Sequence, residues 1–448
     1  MSIDKKNIIA PYMTLKNLFR KTVTVKFPKE ELDVFPGCPG VSPKYRGIHA
    51  NDHEECIGCG ACSDICPTDA IRLIAFEGEP REGAKNQRPE IDYGRCCFCG
   101  YCVDICSTGS LSMTRKFIHI ECTPKTPDPE KEVNMIKDKF ILLPDEKGLD
   151  DLGWNTPTPL SLLDLERVSM EQLSSDLRND SFVEIVKGFS KEQAVKEASR
   201  CIECGICTDA CPAGMNIPEY ITAIWDNDNK ASVEWMYKTN PLSNVCGRVC
   251  THVCETVCAI SHRGEPVAIR WLKRYALDQL SSDDVKSISG IDQIRSAKKK
   301  VAIVGSGPGG LAAAYFLSKM GYAITIFEKN KMAGGVMRYG IPNYRLPDEA
   351  LDKDIDAIKT LGVEILTEIE IGKAKKISQL QKDFDFVILD TGLPIGRTIL
   401  PDLKHDKFNL SIEMLEDISR GEEVTVEKKI AVIGGGNVAM DIARSLAR

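Results

Sequence analysis

Residues 298–330 read KKKVAIVGSGPGGLAAAYFLSKMGYAITIFEKN. A short apolar run meets a glycine-rich turn, apolar residues then recur at helical spacing, and a second apolar run closes on an acid. That pattern predicts strand, turn, amphipathic helix and strand. Residues 428–448, KKIAVIGGGNVAMDIARSLAR, repeat the first half of it and predict another strand–helix turn. Further upstream, SKEQAVKEASR (190–200) reads as a helix capped by Ser190, and the segment 217–241 keeps a helix-like period. Residues 123–165, rich in Pro, Asp and Lys (TPKTPDPEKEV, GWNTPTP), predict a linker. No stretch offers the 18 consecutive apolar residues of a membrane-spanning helix.

A chain of 448 residues has room for about three domains. Its 58 basic against 65 acidic residues leave a net charge of -7, which argues against nucleic acid as a main partner. The amino-terminal MSIDKKNIIAPYMTLKNLF has no apolar signal core, so a cytoplasmic location is expected.

Nineteen cysteines change the picture. Sixteen fall into four quartets, and Cys38, Cys97 and Cys122 stand outside them. Clustered thiols in a long chain point to metal rather than to a disulfide scaffold. Three quartets share the spacing i, i+3, i+6, i+10: Cys56, Cys59, Cys62, Cys66; Cys96, Cys99, Cys102, Cys106; and Cys201, Cys204, Cys207, Cys211. Structural zinc generally uses two CxxC pairs across a longer loop. The compact spacing instead matches the bacterial ferredoxin run, in which three thiolates wrap a [4Fe–4S] cube and the fourth serves the neighbouring cluster. Cys56, Cys59 and Cys62 are thus expected to combine with Cys106, and Cys96, Cys99 and Cys102 with Cys66. Cys97 reads as a small buried hydrophobe. The fourth quartet, Cys246, Cys250, Cys254 and Cys258, recurs every four residues and would stack its thiols on one face if that segment were helical.

The stretch over about residues 10–120, with LKNLFRKTVTVKFP, YRGIHA and PEIDYGRCCFCGYCVDIC, resembles the complex I subunit that carries two tetranuclear clusters. Downstream, EASRCIECGICTDACPAGMNIPEYI, NPLSNVCGRVC and GEPVAIRWLKRYA resemble the amino-terminal part of the glutamate synthase small subunit. That family includes the large subunit of NADH-dependent ferredoxin:NADP oxidoreductase and the amino-terminal half of dihydropyrimidine dehydrogenase. The resemblance implies one cluster on Cys201, Cys204, Cys207 and Cys258. It implies a second on Cys211, Cys250 and Cys254 plus a downstream carboxylate or amide. That last position aligns near Lys273, which cannot ligate iron while charged. Cys246 is the alternative, and the fourth ligand stays open.

In the first dinucleotide motif Gly305 permits the tight turn, Gly307 lets backbone approach a pyrophosphate, and Gly310 lets helix and strand pack. The helix N-terminus offers N–H groups to phosphates. Glu328, about 20 residues on, is placed to accept from ribose hydroxyls. FAD as the ligand is implied by the resemblance of MAGGVMRYGIPNYRLP, which contains Gly335, to the stretch after the family's FAD motif. FDFVILDTGLP resembles the returning strand, with Asp390 where a small residue is usual. Gly434, Gly436 and Ala439 form the second motif, which in the family binds NADP(H); NAD(H) is the alternative. The same resemblance expects roughly 200 further residues to close both dinucleotide sheets.

The expected fold is multidomain, α+β and α/β. A ferredoxin-like two-cluster domain with an N-terminal arm spans 1–122, a linker 123–185 and a small helical Fe–S domain 186–290. A Rossmann-like FAD domain spans 298–395, and the start of a second Rossmann-like NAD(P)-binding domain spans 396–448. The resemblance implies an NAD(P)H-dependent FAD and iron–sulfur oxidoreductase subunit with about four [4Fe–4S] clusters. Its expected partners are NAD(P)H, ferredoxin and other redox subunits, in an arrangement that extends to electron bifurcation. No acid–base pair stands out, so the chemistry is expected to be that of the cofactors. A glutamate synthase small subunit and a non-catalytic electron wire are the alternatives.

Overall fold

The computed structural model describes residues 41, 44–81, 83–116, 140–154, 162–288, 299–393, 396 and 410–448. Cys38, Cys122 and the expected N-terminal arm before residue 41 lie outside them. Two compact units are formed.

The first unit takes in described residues of 1–58, 62–79 and 86–162. Strand β1 (His49–Asn51) pairs antiparallel with β4 (Leu111–Met113), Ala50 opposite Ser112. Strand β2 (Ile71–Ala75) pairs antiparallel with β3 (Gln87–Asp92), which also pairs with the short β5 (Ile141–Leu142). Single-turn helices α1 (Ala61–Asp64) and α2 (Tyr101–Asp104) follow the cysteine turns. Ile71, Ile91, Val103, Leu111 and Met113 make a small core with Cys102, and Cys62, Cys66, Cys96 and Cys106 pack against it. So small a core gains little from apolar burial, and ligand binding supplies stability where such a core is short of it.

The second unit comprises 163–448 with the short pieces 59–61 and 80–85. Its first half is helical: α3 (Lys191–Ala198), α4 (Ile206–Ala210), α5 (Ile217–Trp225), α6 (Asn229–Tyr237), α7 (Ser243–Val249), α8 (Val253–Thr256) and α9 (Ile269–Asp278). Ser190 closes a capping box with Gln193 at the start of α3, as its sequence predicts. The segment from Cys246 to Cys258 is not one continuous helix, so the condition for a thiol stack is not met. Helix α7 ends at Cys250, whose ψ is 142°, and His252 adopts a left-handed φ of 46°. These two residues break the helical register.

The second half is a four-stranded parallel sheet, order β8-β7-β6-β9, of β6 (Lys300–Val304), β7 (Ala323–Phe327), β8 (Glu364–Leu366) and β9 (Phe386–Leu389). Helix α10 (Pro308–Lys319) links β6 to β7, and α11 (Val336–Tyr339) and α12 (Asp348–Lys359) precede β8. Helices α13 (Ser411–Arg420) and α14 (Asn437–Ala447) close the unit. The strand expected at 429–433 is absent: among the described residues none pairs with it, and without a neighbour its backbone has no ladder to join. Asp441 on α14 is buried and ion-paired with Arg345.

A buried polar junction joins the two halves. Asp354 on α12 accepts from Tyr237 Oη (2.6 Å), Asn244 Nδ2 (2.9 Å) and Val245 N (3.1 Å) at the start of α7. Tyr315 Oη on α10 donates to Tyr237 O at 2.8 Å. Burial raises the Asp354 carboxyl to about 6, against the pull of those donors.

Several described residues of the expected linker, 123–185, are hydrogen-bonded within one or the other unit. Beyond β5, Trp154 N donates to Tyr45 O at 2.7 Å in the first unit. In the second, Val168 N donates to Glu197 Oε2 at 2.7 Å and Ile185 N to Tyr344 O at 3.1 Å. No helix among the described residues is long and apolar enough to cross a membrane.

Candidate functional site

The three like-spaced cysteine phrases fold alike. The residues on either side of the second cysteine take positive φ in each: Gly58 (60°) and Gly60 (92°), Phe98 (54°) and Gly100 (84°), Glu203 (53°) and Gly205 (74°). The third residue after each fourth cysteine does so too: Asp69 (47°), Gly109 (72°) and Gly214 (54°). Left-handed turns of this kind gather backbone N–H groups into a concavity that suits an anion. Ala70 N donates to Cys66 Sγ at 3.2 Å and Phe98 N to Cys96 Sγ at 3.4 Å. His252 N does the same to Cys250 Sγ at 3.3 Å.

Cys66, Cys96, Cys99 and Cys102 line one cavity of the first unit. Burial first, and then the thiols of Cys96, Cys99 and Cys66, push Cys102 up to about 12. Burial opposes ionisation of Cys66 as well, but backbone donors at Thr68, Ala70 and Ile71 outweigh it and bring that thiol below its ordinary value. Cys66 therefore leaves its own quartet and faces the next. Cys56 is buried, Cys59 is half-buried, and Cys62 and Cys106 border the core. Cys97, expected to be a buried hydrophobe, is exposed: Phe98 turns inward against the core in its place.

In the second unit Cys201, Cys204, Cys207 and Cys258 line another cavity, closed by Ile221, Ile260 and Ile269. Burial and then Cys204 and Cys258 push Cys201 up to about 12. A third set gathers at Cys254, which burial pushes up to about 12 while Lys273 pulls it down and Cys211 and Cys250 raise it. Cys246 adjoins Cys250 and Lys273 and is raised by burial. The Lys273 ammonium is buried, with the Met215 thioether at 3.1 Å. Four thiolates at one place repel one another unless a cation joins them, so the two sets that line cavities fit a cationic iron–sulfur core. Among the described residues no three Cys, His, Asp or Glu side chains close onto one point as the ligands of a single ion do.

Sequence reasoning passed over His49. Its Nε2 lies 3.3 Å from Cys102 Sγ and its Nδ1 3.2 Å from Tyr93 Oη. The only signal for it was its place in YRGIHA.

The glycine-rich turn opens a cavity of about 760 Å³, lined among others by Gly305, Gly307, Glu328, Gly335 and Asp390. Each glycine has its own reason. Gly305 needs its φ of 108°, and a Cβ there would lie 2.1 Å from Asp390 O. A Cβ on Gly310 would lie 2.1 Å from Gly305 O, and one on Gly335 2.8 Å from Gly307 Cα. Gly307 is different: its φ is -69°, and a Cβ would meet only Asp390 Oδ2, at 4.0 Å. Neither backbone strain nor packing requires glycine there; the space a side chain would fill belongs to the cavity. Glu328, buried at the end of β7, accepts from Ser306 N (3.0 Å), Ser306 Oγ and Asn330 N (2.9 Å). A carboxylate keeps lone pairs beyond those three. These features fit a dinucleotide. The Asp390 carboxylate, however, stands at the N-terminus of α10 and accepts from Gly310 N.

At the second motif Gly434 has a φ of 126° with Ala439 3.6 Å from its would-be Cβ, and Gly436 caps α14.

Three family models match. The 4Fe-4S dicluster domain covers residues 55–110, the dihydropyrimidine dehydrogenase domain II with its 4Fe-4S cluster covers 178–285, and the pyridine nucleotide-disulphide oxidoreductase covers 299–448. Among curated proteins, the NAD-dependent dihydropyrimidine dehydrogenase subunit PreT of Salmonella typhimurium is 33% identical over 268 residues, 59% of this chain and 64% of the relative. The glutamate synthase [NADPH] small chain of Mycobacterium tuberculosis is 30% identical over 292 residues, 61% of this chain and 59% of the relative. The NADP(+)-dependent formate dehydrogenase subunit beta of Moorella thermoacetica is 38% identical over 265 residues, 54% of this chain and 38% of the relative. The chain thus spans less than two thirds of each of these relatives. The chain is therefore similar to PreT, glutamate synthase small chains and formate dehydrogenase beta subunits, and it matches two kinds of 4Fe-4S domain and a pyridine nucleotide-disulphide oxidoreductase domain.

Proposed function

We propose that this chain is an iron–sulfur flavoprotein subunit carrying electrons between NAD(P)H, FAD and a series of [4Fe–4S] clusters that leads to ferredoxin or a partner redox subunit. The observation that carries this reading is the single compact unit holding both the glycine-turn cavity and two of the thiol sets, joined through Asp354, Tyr237 and Asn244. The cavity and these thiol sets thus belong to one folded unit.

The proposed ligand sets are Cys56, Cys59, Cys62 with Cys106; Cys96, Cys99, Cys102 with Cys66; Cys201, Cys204, Cys207 with Cys258; and Cys211, Cys250, Cys254 with Cys246. FAD, when bound, accepts an electron pair as hydride and releases electrons singly to clusters. The protein's own part is to hold and insulate. Gly305, Gly307, Gly310 and Gly335 shape the cradle, Glu328 offers acceptors to a ribose, and Gly434, Gly436 and Ala439 form the nicotinamide dinucleotide turn. Backbone N–H groups stabilise the thiolates, and apolar side chains such as Ile221 and Ile260 keep water from them.

The test is anaerobic purification with assay of iron, sulfide and flavin, followed by reduction with NADH and with NADPH. About sixteen irons, up to one FAD and, with FAD added, cluster bleaching by either nucleotide are expected. Stoichiometric zinc, or clusters that only dithionite reduces, would overturn the reading. Asp390 favours a second reading, a flavin-free wire, because its carboxylate stands where a phosphate would bind.

A further inference from the structure

The glycine-turn cavity contains its own anion. Asp390, one residue beyond β9, points its carboxylate at the first turn of α10 and accepts a hydrogen bond from Gly310 N. A Cβ built on Gly309 would lie 2.8 and 2.9 Å from the two carboxylate oxygens, and one on Gly307 would lie 4.0 Å from Oδ2. The carboxylate therefore takes one backbone donor, Gly310 N, of the helix N-terminus that a glycine turn offers to a phosphate, and it lines the same cavity. Helix N-termini hold side-chain carboxylates and phosphates through one interaction, their N–H groups and partial positive charge. Two anions cannot share it without repulsion.

We propose that Asp390 is a built-in competitor for the dinucleotide diphosphate: its carboxylate occupies the helix N-terminus and must leave before the phosphates can bind. This rests on the reading of the cavity as a FAD site. Dinucleotide entry then includes a rotation of Asp390 away from Gly310 N. After it the carboxylate, still anchored at the end of β9, remains close enough to repel the diphosphate. The consequence is a site that holds FAD more loosely than its glycine pattern implies. FAD exchanges with solution on dilution, and occupancy follows the FAD concentration around the protein.

The experiment measures FAD affinity of the intact, cluster-loaded chain after flavin removal, by quenching of FAD fluorescence. Asp390→Asn keeps the size of the side chain and an oxygen for Gly310 N but removes the charge; Asp390→Ala removes both. Each variant is first matched to the natural chain in iron content and circular dichroism. Both are expected to bind FAD on the order of tenfold more tightly, the size of a helix-terminus charge effect in a partly buried site. A side chain with a merely structural role would loosen binding when removed, not tighten it. If the natural chain binds FAD and both matched variants bind it equally or more weakly, the competitor role is overturned while the flavin reading stands. If none of the three binds FAD, the flavin reading is overturned and Asp390 loses its proposed role with it.

Discussion

Tyr93 and Cys102 flank the His49 ring. The His49 backbone N–H donates to Tyr93 Oη at 2.8 Å, and Nδ1 lies 3.2 Å from the same oxygen. Nε2 lies 3.3 Å from Cys102 Sγ, where the Nε2–H tautomer donates to a thiolate. Burial lowers the imidazole to about 4, which keeps it neutral near neutral pH. An N–H donor to a ligand thiolate stabilises the more negative, reduced state of a cluster. His49→Leu is expected to keep its iron and to lower the reduction potential of the cluster on Cys66, Cys96, Cys99 and Cys102. A potentiometric titration followed by electron paramagnetic resonance reads this directly; an unchanged potential would rule out the donor role.

Cys66 faces the second quartet rather than its own. Cys66→Ala should therefore disturb the cluster anchored by Cys96, Cys99 and Cys102, with loss of about four irons per chain. Cys106→Ala should disturb the other. Spectra of the two variants distinguish exchanged from local ligation, since local ligation reverses the two losses.

Gly307 has neither a backbone nor a packing reason to be glycine. Gly307→Val is expected to leave cluster content and thermal unfolding close to those of the flavin-free natural chain and to abolish FAD binding. NAD(P)H should then fail to reduce the clusters while dithionite still does. Retained NAD(P)H-driven reduction in flavin-free protein would place electron entry elsewhere.

Lys273 buries an ammonium beside Cys246 and Cys254. A cation at that distance favours the added electron of a reduced cluster. Lys273→Met, which keeps most of the volume and removes the charge, should lower the potential of the cluster on Cys211, Cys250 and Cys254. Lys273→Arg should hold it near the natural value. Equal potentials in all three would remove the ammonium from the account.

The parts of the site legible in the sequence are those that repeat at fixed spacing. The cysteine phrases dictate left-handed turns at the flanking positions, and glycine at 58, 60, 100 and 205 marks most of them. Phe98 and Glu203 take the same conformation without glycine, so composition alone would have missed the likeness. Long-range neighbours were not legible. His49 is 53 residues from Cys102 and Asp390 is 80 from Gly310, and no local period links either pair. The repeat Cys246–Cys258 left helicity open, because a four-residue period describes a helix ending before Cys250 and a second starting at Val253 as well as a continuous one. The second glycine turn kept its helix but not its strand, because a strand is defined by its neighbour and a helix is not.

The junction at Asp354 makes cofactor retention a shared property of the second unit. A ligand that binds only the folded form adds its binding free energy to the folding equilibrium. Helix α7, with Cys246 and leading into Cys250, starts at the residues whose N–H groups Asp354 accepts, and Tyr237 carries the same load toward α10. Binding at the thiols and binding at the dinucleotide turn would each, through one buried carboxylate, stabilise the fold that the other needs.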